Sequence, residues 1–214
     1  MQGREDLRSG GSEPGFDTSR PVDSFVETAR RVMLEPAGFF RSITSEARVW
    51  PPIAFAVICG VVSVVLGIAV ELLVPVDFGV FGGGSGGIRE AVPERFGGLA
   101  VAGILIGFVV LVPLLILLGL YIGALIYQGL IRVIVGRENA GYWVTFKIYA
   151  YTSVVELFTW VPMLWVIASA YGYYLIFVAV REAHSATRAR AAIVAAIPFA
   201  IFVIPSVIGM VRAI

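Results

Sequence analysis

The sequence predicts an all-α membrane protein, a bundle of five transmembrane helices preceded by an N-terminal amphipathic surface helix. Three observations predict this class. The 214 residues are 58% hydrophobic and only 14% charged, with a mean hydropathy of +0.90, whereas soluble domains are about half apolar and a quarter charged. Apolar runs long enough to cross a bilayer recur along the chain. The basic residues cluster in alternate connecting segments, which is typical of a multi-pass membrane protein.

The first two segments are predicted to lie outside the bilayer core. Residues 1–22 are rich in glycine, serine and charge, so we expect a disordered tail and no signal peptide. Residues 23–48 change to an amphipathic pattern, which predicts a segment lying on the membrane surface with its apolar side chains in lipid. A helix packed on a partner domain is the alternative. The apolar residues of this segment recur at helical spacing up to Pro36 and continue in the stretch that follows: Phe25, Ala29, Val32, Met33, Phe39, Phe40 and Ile43.

Residues 49–214 form the predicted transmembrane domain. Its second apolar run contains Pro113 but no polar turn, so we expect one long, tilted or kinked helix rather than two crossings. A Trp-Val-Pro motif at residues 160–162 divides the third run into a hairpin of two spans. The five predicted spans cover about 50–74, 97–132, 142–161, 162–180 and 191–212.

The distribution of charge predicts the orientation. With five spans and a cytoplasmic N-terminus, 13 basic residues lie on the cytoplasmic side and three on the far side, as the positive-inside rule favours. With six spans this asymmetry largely disappears. We therefore expect a multi-pass protein of the cell membrane, with the N-terminus in the cytoplasm and the C-terminus outside.

Three ionisable residues are predicted to lie at similar depth in the outer leaflet: Glu71, Glu156 and Arg212. Charged groups inside a membrane usually face the bundle interior and pair with one another. We interpret the three as a structural cluster. The alternative is a proton or cation site in which burial raises the pKa of a carboxylate, so that the protein is a small ion or proton channel or transporter.

Seven basic residues are predicted to face the cytoplasm or the anionic headgroups of the bilayer. His184 is the only histidine, and we expect it to be a solvated or headgroup-level loop residue, with pH sensing or partner binding as the alternative. The seven are Arg30, Arg31, Arg41, Arg181, His184, Arg188 and Arg190.

Small residues at four-residue spacing predict close packing between helices. We favour packing within one chain, and packing between chains of a homo-oligomer is the alternative. The glycines concerned are Gly60, Gly67, Gly103, Gly107, Gly119, Gly123 and Gly172.

Several functional classes are disfavoured by what the sequence lacks. The net charge of +1 indicates no nucleic-acid partner. One histidine and one cysteine are too few for most catalytic constellations or for a metal site. We therefore expect no enzyme, no cofactor and no metal.

Three stretches resemble one family. The chain has "RVMLEPAGFFRSI" before the first span, with the pattern P-x-x-FF-x-x-I, then "FKIYAYTSVVELFTWVP", then "YGYYLIFVAVREAHSATRARAAIVAAIPF". In this order they resemble the prokaryotic branch of the Yip domain family, the Ypt-interacting proteins, over residues 25–212. The resemblance implies five spans and a cytosolic N-terminus.

Eukaryotic members of that family bind Rab-type small GTPases in traffic between endoplasmic reticulum and Golgi. The tail of this chain lacks the aromatic-rich acidic segment that we expect of those proteins, so the resemblance implies their fold and not the Rab role. We expect a non-enzymatic membrane adaptor or organiser, whose partners are the lipid bilayer and a membrane or cytoplasmic protein.

Overall fold

The computed structural model describes residues 15–73, 98–137, 139–161 and 164–212, with side chains except at 71–73, 98–110 and 210–212. This part of the chain is all-helical and contains no β-strand. Its nine α-helices are α1 (Pro21–Leu34), α2 (Pro36–Ser42), α3 (Trp50–Leu73), α4 (Gly98–Ile134), α5 (Tyr142–Thr152), α6 (Glu156–Thr159), α7 (Leu164–Ala183), α8 (Arg188–Pro198) and α9 (Ile204–Arg212).

Four helical stretches in the described residues are long and apolar enough to cross a membrane. They are Trp50–Val70 in α3, Leu111–Ile134 in α4, Leu164–Ala183 in α7, and Arg188–Gly209, which runs from α8 into α9. In a lipid environment every backbone N–H and C=O must bond within the protein, so continuous helices are the stable solution. The protein is therefore a multi-pass membrane protein.

Proline interrupts two of these stretches differently. Pro113 lies inside α4, which continues through it as one helix of 37 residues. Between α8 and α9, a π-helical segment, Phe199–Val203, follows Pro198. Proline has no N–H to donate, so carbonyl groups one turn earlier lose their regular partner. Just after Pro205, the Ser206 hydroxyl donates to the carbonyl of Phe202 at 2.7 Å, a local side-chain bond that satisfies this hydroxyl within its own helix.

α5 and α6 form the central helical stretch of the bundle. A 3-10 turn, Ser153–Val155, joins them without a break. Eight of the 11 residues of α5 are buried, because α5 packs against α3, α4 and α7. The Thr152 hydroxyl donates to the carbonyl of Ile148 at 2.8 Å, a local bond that satisfies a polar group inside the bundle.

The N-terminal helices pack across the flank of the bundle. Pro21 and Pro36 occupy the first turns of α1 and α2, where the missing N–H has no helical partner in any case. Tyr171 of α7 donates a hydrogen bond to the carbonyl of Met33, while the Phe25 ring lies 5.1 Å from that of Phe55 in α3. α1 therefore spans the distance between α7 and α3.

The apolar side chains of this N-terminal segment correct one expectation. Phe39, Phe40 and Ile43 were expected to enter lipid, but all three are buried inside the protein. The Phe39 ring lies 4.9 Å from the Tyr151 ring of α5, because these side chains fill the space between α3, α5 and α7. The exposed apolar residues of α1 are instead Val22, Val26 and Leu34. A position of α1 on the membrane surface stays a prediction.

Part of the predicted tail, from residue 15 on, lies within the described residues. Residues 1–14 of the predicted tail lie outside the described residues. Phe16 is buried and packs 6.2 Å from the Phe55 ring, and its backbone N–H donates to the Tyr151 hydroxyl at 3.2 Å. The expectation of a disordered tail therefore does not hold at Phe16.

Candidate functional site

The connecting segments meet at one end of the bundle, where α3, α5 and α8 begin and α4 and α7 end. The N–H of Ala140, which precedes α5, donates to Nδ1 of His184, which follows α7, at 3.1 Å. Arg190 of α8 donates to the carbonyl of Val135, which follows α4, at 3.2 Å. We call this end the basic end, because arginines from five segments lie there: α2, the end of α4, the segment after α4, the end of α7 and the start of α8.

Lys147 holds the segment before α3 against α5. Its side chain is only 4% exposed, and its ammonium donates to the carbonyl oxygens of Ile43 at 2.9 Å and Glu46 at 2.5 Å. A buried ammonium needs such acceptors, since an unpartnered charge in the protein interior is very costly. The Tyr151 hydroxyl lies 3.4 Å from the Glu46 carboxylate. These contacts join α5 to a segment about a hundred residues earlier.

His184 belongs to a buried hydrogen-bond network, and its side chain is only 2% exposed. Its Nδ1 accepts from Ala140, so the ring proton is on Nε2, which lies 3.1 Å from the Thr145 hydroxyl. Thr145 in turn donates to the Gln128 side-chain oxygen at 2.5 Å. Burial lowers the pKa of His184 from 6.5 to about 4. The expectation of a solvated His184 is therefore wrong, since the network removes it from water and keeps it neutral at pH 7.

An open cavity of about 730 Å³ lies beside this network, at the end of α4. We call it the α4 cavity. Gln128 donates from its amide nitrogen to the Asn139 side-chain oxygen at 2.9 Å, and the Asn139 amide nitrogen donates to the carbonyl of Gly136 at 2.7 Å. These bonds hold the polar wall in place. The cavity is lined by Leu125, Gln128, Arg132, Arg137, Asn139, Gly141 and Tyr142.

The arginines predicted to face the cytoplasm have distinct positions at or near the basic end. Arg41 of α2 and Arg181 both pair with Glu182, at 2.5 Å and 2.6 Å, so this carboxylate links α2 to α7. The Arg31 guanidinium lies 5.6 Å from the centre of the Phe39 ring. Arg30 and Arg188 are exposed.

The predicted outer cluster is described only at Glu156. Its carboxylate accepts from the Thr159 hydroxyl at 3.2 Å, and Thr159 lies 3.1 Å from the Ser63 hydroxyl of α3. The side chains of Glu71 and Arg212 lie outside the described residues, so a meeting of the three stays a prediction.

The glycines differ in what surrounds them. A Cβ on Gly123 would overlap the Tyr149 ring, and one on Gly60 would lie 2.7 Å from Ile116 Cδ1. At Gly172 the nearest atom would be Val155 Cγ2, at 3.3 Å. These three glycines face neighbours in the same chain, whereas a Cβ on Gly119 would meet nothing within 4 Å. Of the rest, Gly67 is buried, and the predicted pair Gly103 and Gly107 lies outside the described side chains.

Lys147, Thr145, Gln128 and Asn139 were not singled out as site residues from the sequence. Lys147 carried a usable signal, because it is the only lysine and lies among apolar residues at 142–152. The two amides and the threonine carried none, since only folding brings them to His184.

The comparison with known families identifies one match. The Yip1 domain family model matches residues 30–209, which is most of the chain. No curated protein and no solved structure matches this chain.

Proposed function

The chain belongs to the Yip1 domain family, and on this premise we propose that it is a non-enzymatic membrane adaptor or organiser that acts through the basic end. The observation that carries the proposal is the exposed, cationic surface of that end. Arginines are enriched where proteins bind partners, and positive potential attracts partners of opposite charge. The exposed arginines from separate segments of this end are Arg132, Arg137, Arg188 and Arg190.

The proposed topology has five spans, with the N-terminus in the cytoplasm and the C-terminus outside the cell membrane. The four apolar stretches count as four crossings. We assign the fifth to the continuous helical stretch from α5 through α6, which has 18 residues and so a length of about 27 Å. Eight of the 11 residues of α5 are buried by the surrounding helices, whereas none of the four residues of α6 is buried. The excess of basic residues in the segments of the basic end supports its cytoplasmic position.

A small ion or proton channel using the outer carboxylates is less well supported. A pore requires a continuous polar path with groups that face the ion. In the part of the chain described with side chains, the hydroxyls of Thr152 and Thr159 bond within their own helix, to the carbonyls of Ile148 and Glu156. Thr159 also lies 3.1 Å from the Ser63 hydroxyl of another span, which is a local contact and not a continuous polar path.

Site-specific photo-crosslinking in the native membrane tests the adaptor proposal. The probe replaces Thr44 or Ala189, which are exposed near the basic end, and Leu118 of α4, which is exposed within a span, provides the control. We expect one protein to be captured from both basic-end positions and not from Leu118. We also expect Arg188→Glu to reduce its capture from Ala189.

Capture of only lipid or of the protein itself from both basic-end positions would contradict the adaptor proposal. Replacement of Glu71 and Glu156 by Gln, with proton flux measured in liposomes, then tests the channel. Loss of a measurable flux at normal membrane abundance would support it.

A further inference from the structure

We propose that the α4 cavity binds a phosphate-bearing anion through the guanidinium groups of Arg132 and Arg137. This inference goes beyond the adaptor proposal, because it requires no protein partner. The cavity volume of about 730 Å³ lies in the range of small-molecule sites, roughly 300–1,000 Å³. A phosphate group or a phospholipid headgroup therefore fits within it.

The charge of the cavity wall favours an anion. Arg132 and Arg137 are both exposed and both line the cavity. Among the described residues, which do not include Glu138, neither arginine forms an ion pair or a side-chain hydrogen bond. A guanidinium offers up to five N–H groups in a planar fork, which matches the oxygens of phosphate in pairs. Among the described residues, two such forks on one wall are therefore without an acceptor in the protein.

The contrast with Arg41 and Arg181 supports this reading. Those two arginines share the Glu182 carboxylate, so their charge serves the packing of α2 on α7. Arg190 donates to a backbone carbonyl. Each of these side chains has an acceptor within the chain, whereas the described acceptors do not reach Arg132 and Arg137.

The amides of the cavity add neutral donors. A side-chain amide nitrogen carries two hydrogens. The described bonds use one hydrogen of Gln128, toward Asn139, and one of Asn139, toward Gly136. In the described part of the chain, no bond uses the second hydrogen of either amide. Because the first bonds also fix both side chains, the donors are preorganised, which lowers the entropy lost on binding.

Two sources supply this phosphate chemistry. Tyr142 lines the cavity and Trp143 beside it is exposed, and these residue types are enriched at the level of lipid headgroups. Leu118, Ile122 and Leu125 form an exposed apolar row on α4 that leads to the cavity, where acyl chains would lie. A phospholipid headgroup is thus one source. A soluble phosphate compound from the aqueous side is the other.

Two binding measurements on the purified full chain distinguish these sources. Native mass spectrometry compares retention of phosphatidylglycerol and phosphatidylcholine from mixed nanodiscs. Calorimetric titration with inorganic phosphate, in detergent, tests the free anion. The variants are Arg132→Gln/Arg137→Gln and the control Arg188→Gln, which removes an exposed charge of the same end outside the cavity. Thermal unfolding and size exclusion verify the fold of each.

We expect the double variant to lose at least about tenfold in binding, since two charge-assisted hydrogen-bonding groups are removed, and Arg188→Gln to bind like the wild type. Loss of phosphatidylglycerol retention identifies the lipid as the source. Loss of phosphate binding, without any preference for phosphatidylglycerol, identifies a soluble compound. Either result supports the cavity.

Equal binding by all three proteins, or no binding of either probe by the wild type, would overturn the proposal. So would an equal loss in Arg188→Gln, which would assign the effect to diffuse charge. If the double variant does not fold, Arg132→Lys/Arg137→Lys replaces it, because it keeps the charge but removes the planar forks. Unchanged binding by that variant would overturn the role of the guanidinium pair.

Discussion

The Lys147 ammonium lies 2.9 Å from the carbonyl oxygen of Ile43, a residue 104 positions earlier in the chain. With its second bond to the Glu46 carbonyl, it ties the central helix of the bundle to the segment that enters the first span. The contact also explains how a cation is accommodated in the interior, because backbone carbonyls replace the water that it loses.

The Lys147→Met variant should unfold more easily. Methionine fills much of the same volume but leaves the carbonyls of Ile43 and Glu46 without their donor, which we expect to lower the free energy of unfolding by about 2–4 kcal/mol. Chemical unfolding of the purified protein in detergent micelles measures the change. Arg188→Met is the control, because that side chain is exposed and should change stability by less than about 0.5 kcal/mol. Equal effects would contradict the proposed role of Lys147.

His184 should make the folded protein sensitive to acid. Its pKa is lowered to about 4 from an ordinary value of 6.5, so between these values the unfolded chain binds more protons than the folded one. The folded protein is therefore least affected by His184 above about pH 6.5. As the pH falls from there toward about 4, protonation favours the unfolded chain and lowers the free energy of unfolding by up to about 3 kcal/mol. We expect a smaller loss in His184→Gln over the same range. Parallel stability curves for the two proteins would exclude a buried neutral His184.

Two glycines one turn apart on α4 should respond differently to alanine. A Cβ on Gly123 would overlap the Tyr149 ring, whereas one on Gly119 would meet nothing within 4 Å. We expect Gly123→Ala to destabilise the bundle by about 1–3 kcal/mol through overpacking. Gly119→Ala should be neutral or stabilise by up to about 1 kcal/mol, because alanine favours the helix. Thermal melting measures both. A larger cost at Gly119 would indicate a contact with a second chain.

The Glu182 carboxylate should matter more than the Arg41 guanidinium that pairs with it. The Glu182 side chain is 12% exposed and that of Arg41 is 71% exposed. Arg41→Gln should therefore cost less than about 1 kcal/mol, as exposed ion pairs do. Glu182→Gln leaves both guanidinium groups without their anion, and we expect it to cost about 1–2 kcal/mol. Unfolding curves of the two variants provide the comparison, and the reverse order would disagree with the structure.

The spans were predictable in outline because hydropathy is a local property. α3 begins at Trp50 and α4 continues through Pro113, as an apolar run without a polar turn indicates. The stretch from α5 to α6 was predicted as a span at 142–161, but its hydroxyls and Lys147 lower its hydropathy, and it is not among the four described stretches long and apolar enough to cross a membrane. Only the contacts with α3, α4 and α7 show why those polar groups are accommodated there.

The site was less predictable for a different reason. The amphipathic pattern before Trp50 identifies apolar side chains, but both lipid and protein can cover them. Phe39 and Phe40 are covered by protein, a result that depends on the gap between α3, α5 and α7. In the same way, the loop position of His184 predicted a side chain in contact with solvent. Its hydrogen-bond partners Ala140 and Thr145 instead place the ring in the protein interior.

The sequence by itself determined that this chain belongs to the Yip1 domain family. It also determined that several helices are able to cross a membrane, because long apolar runs in lipid form helices that satisfy their own backbone. Tertiary structure alone decided which side chains meet at the basic end. Lys147 reaches Ile43, His184 becomes neutral, and Arg132 and Arg137 come to share a cavity. The reason is that burial and hydrogen bonding at that end arise between segments far apart in the chain.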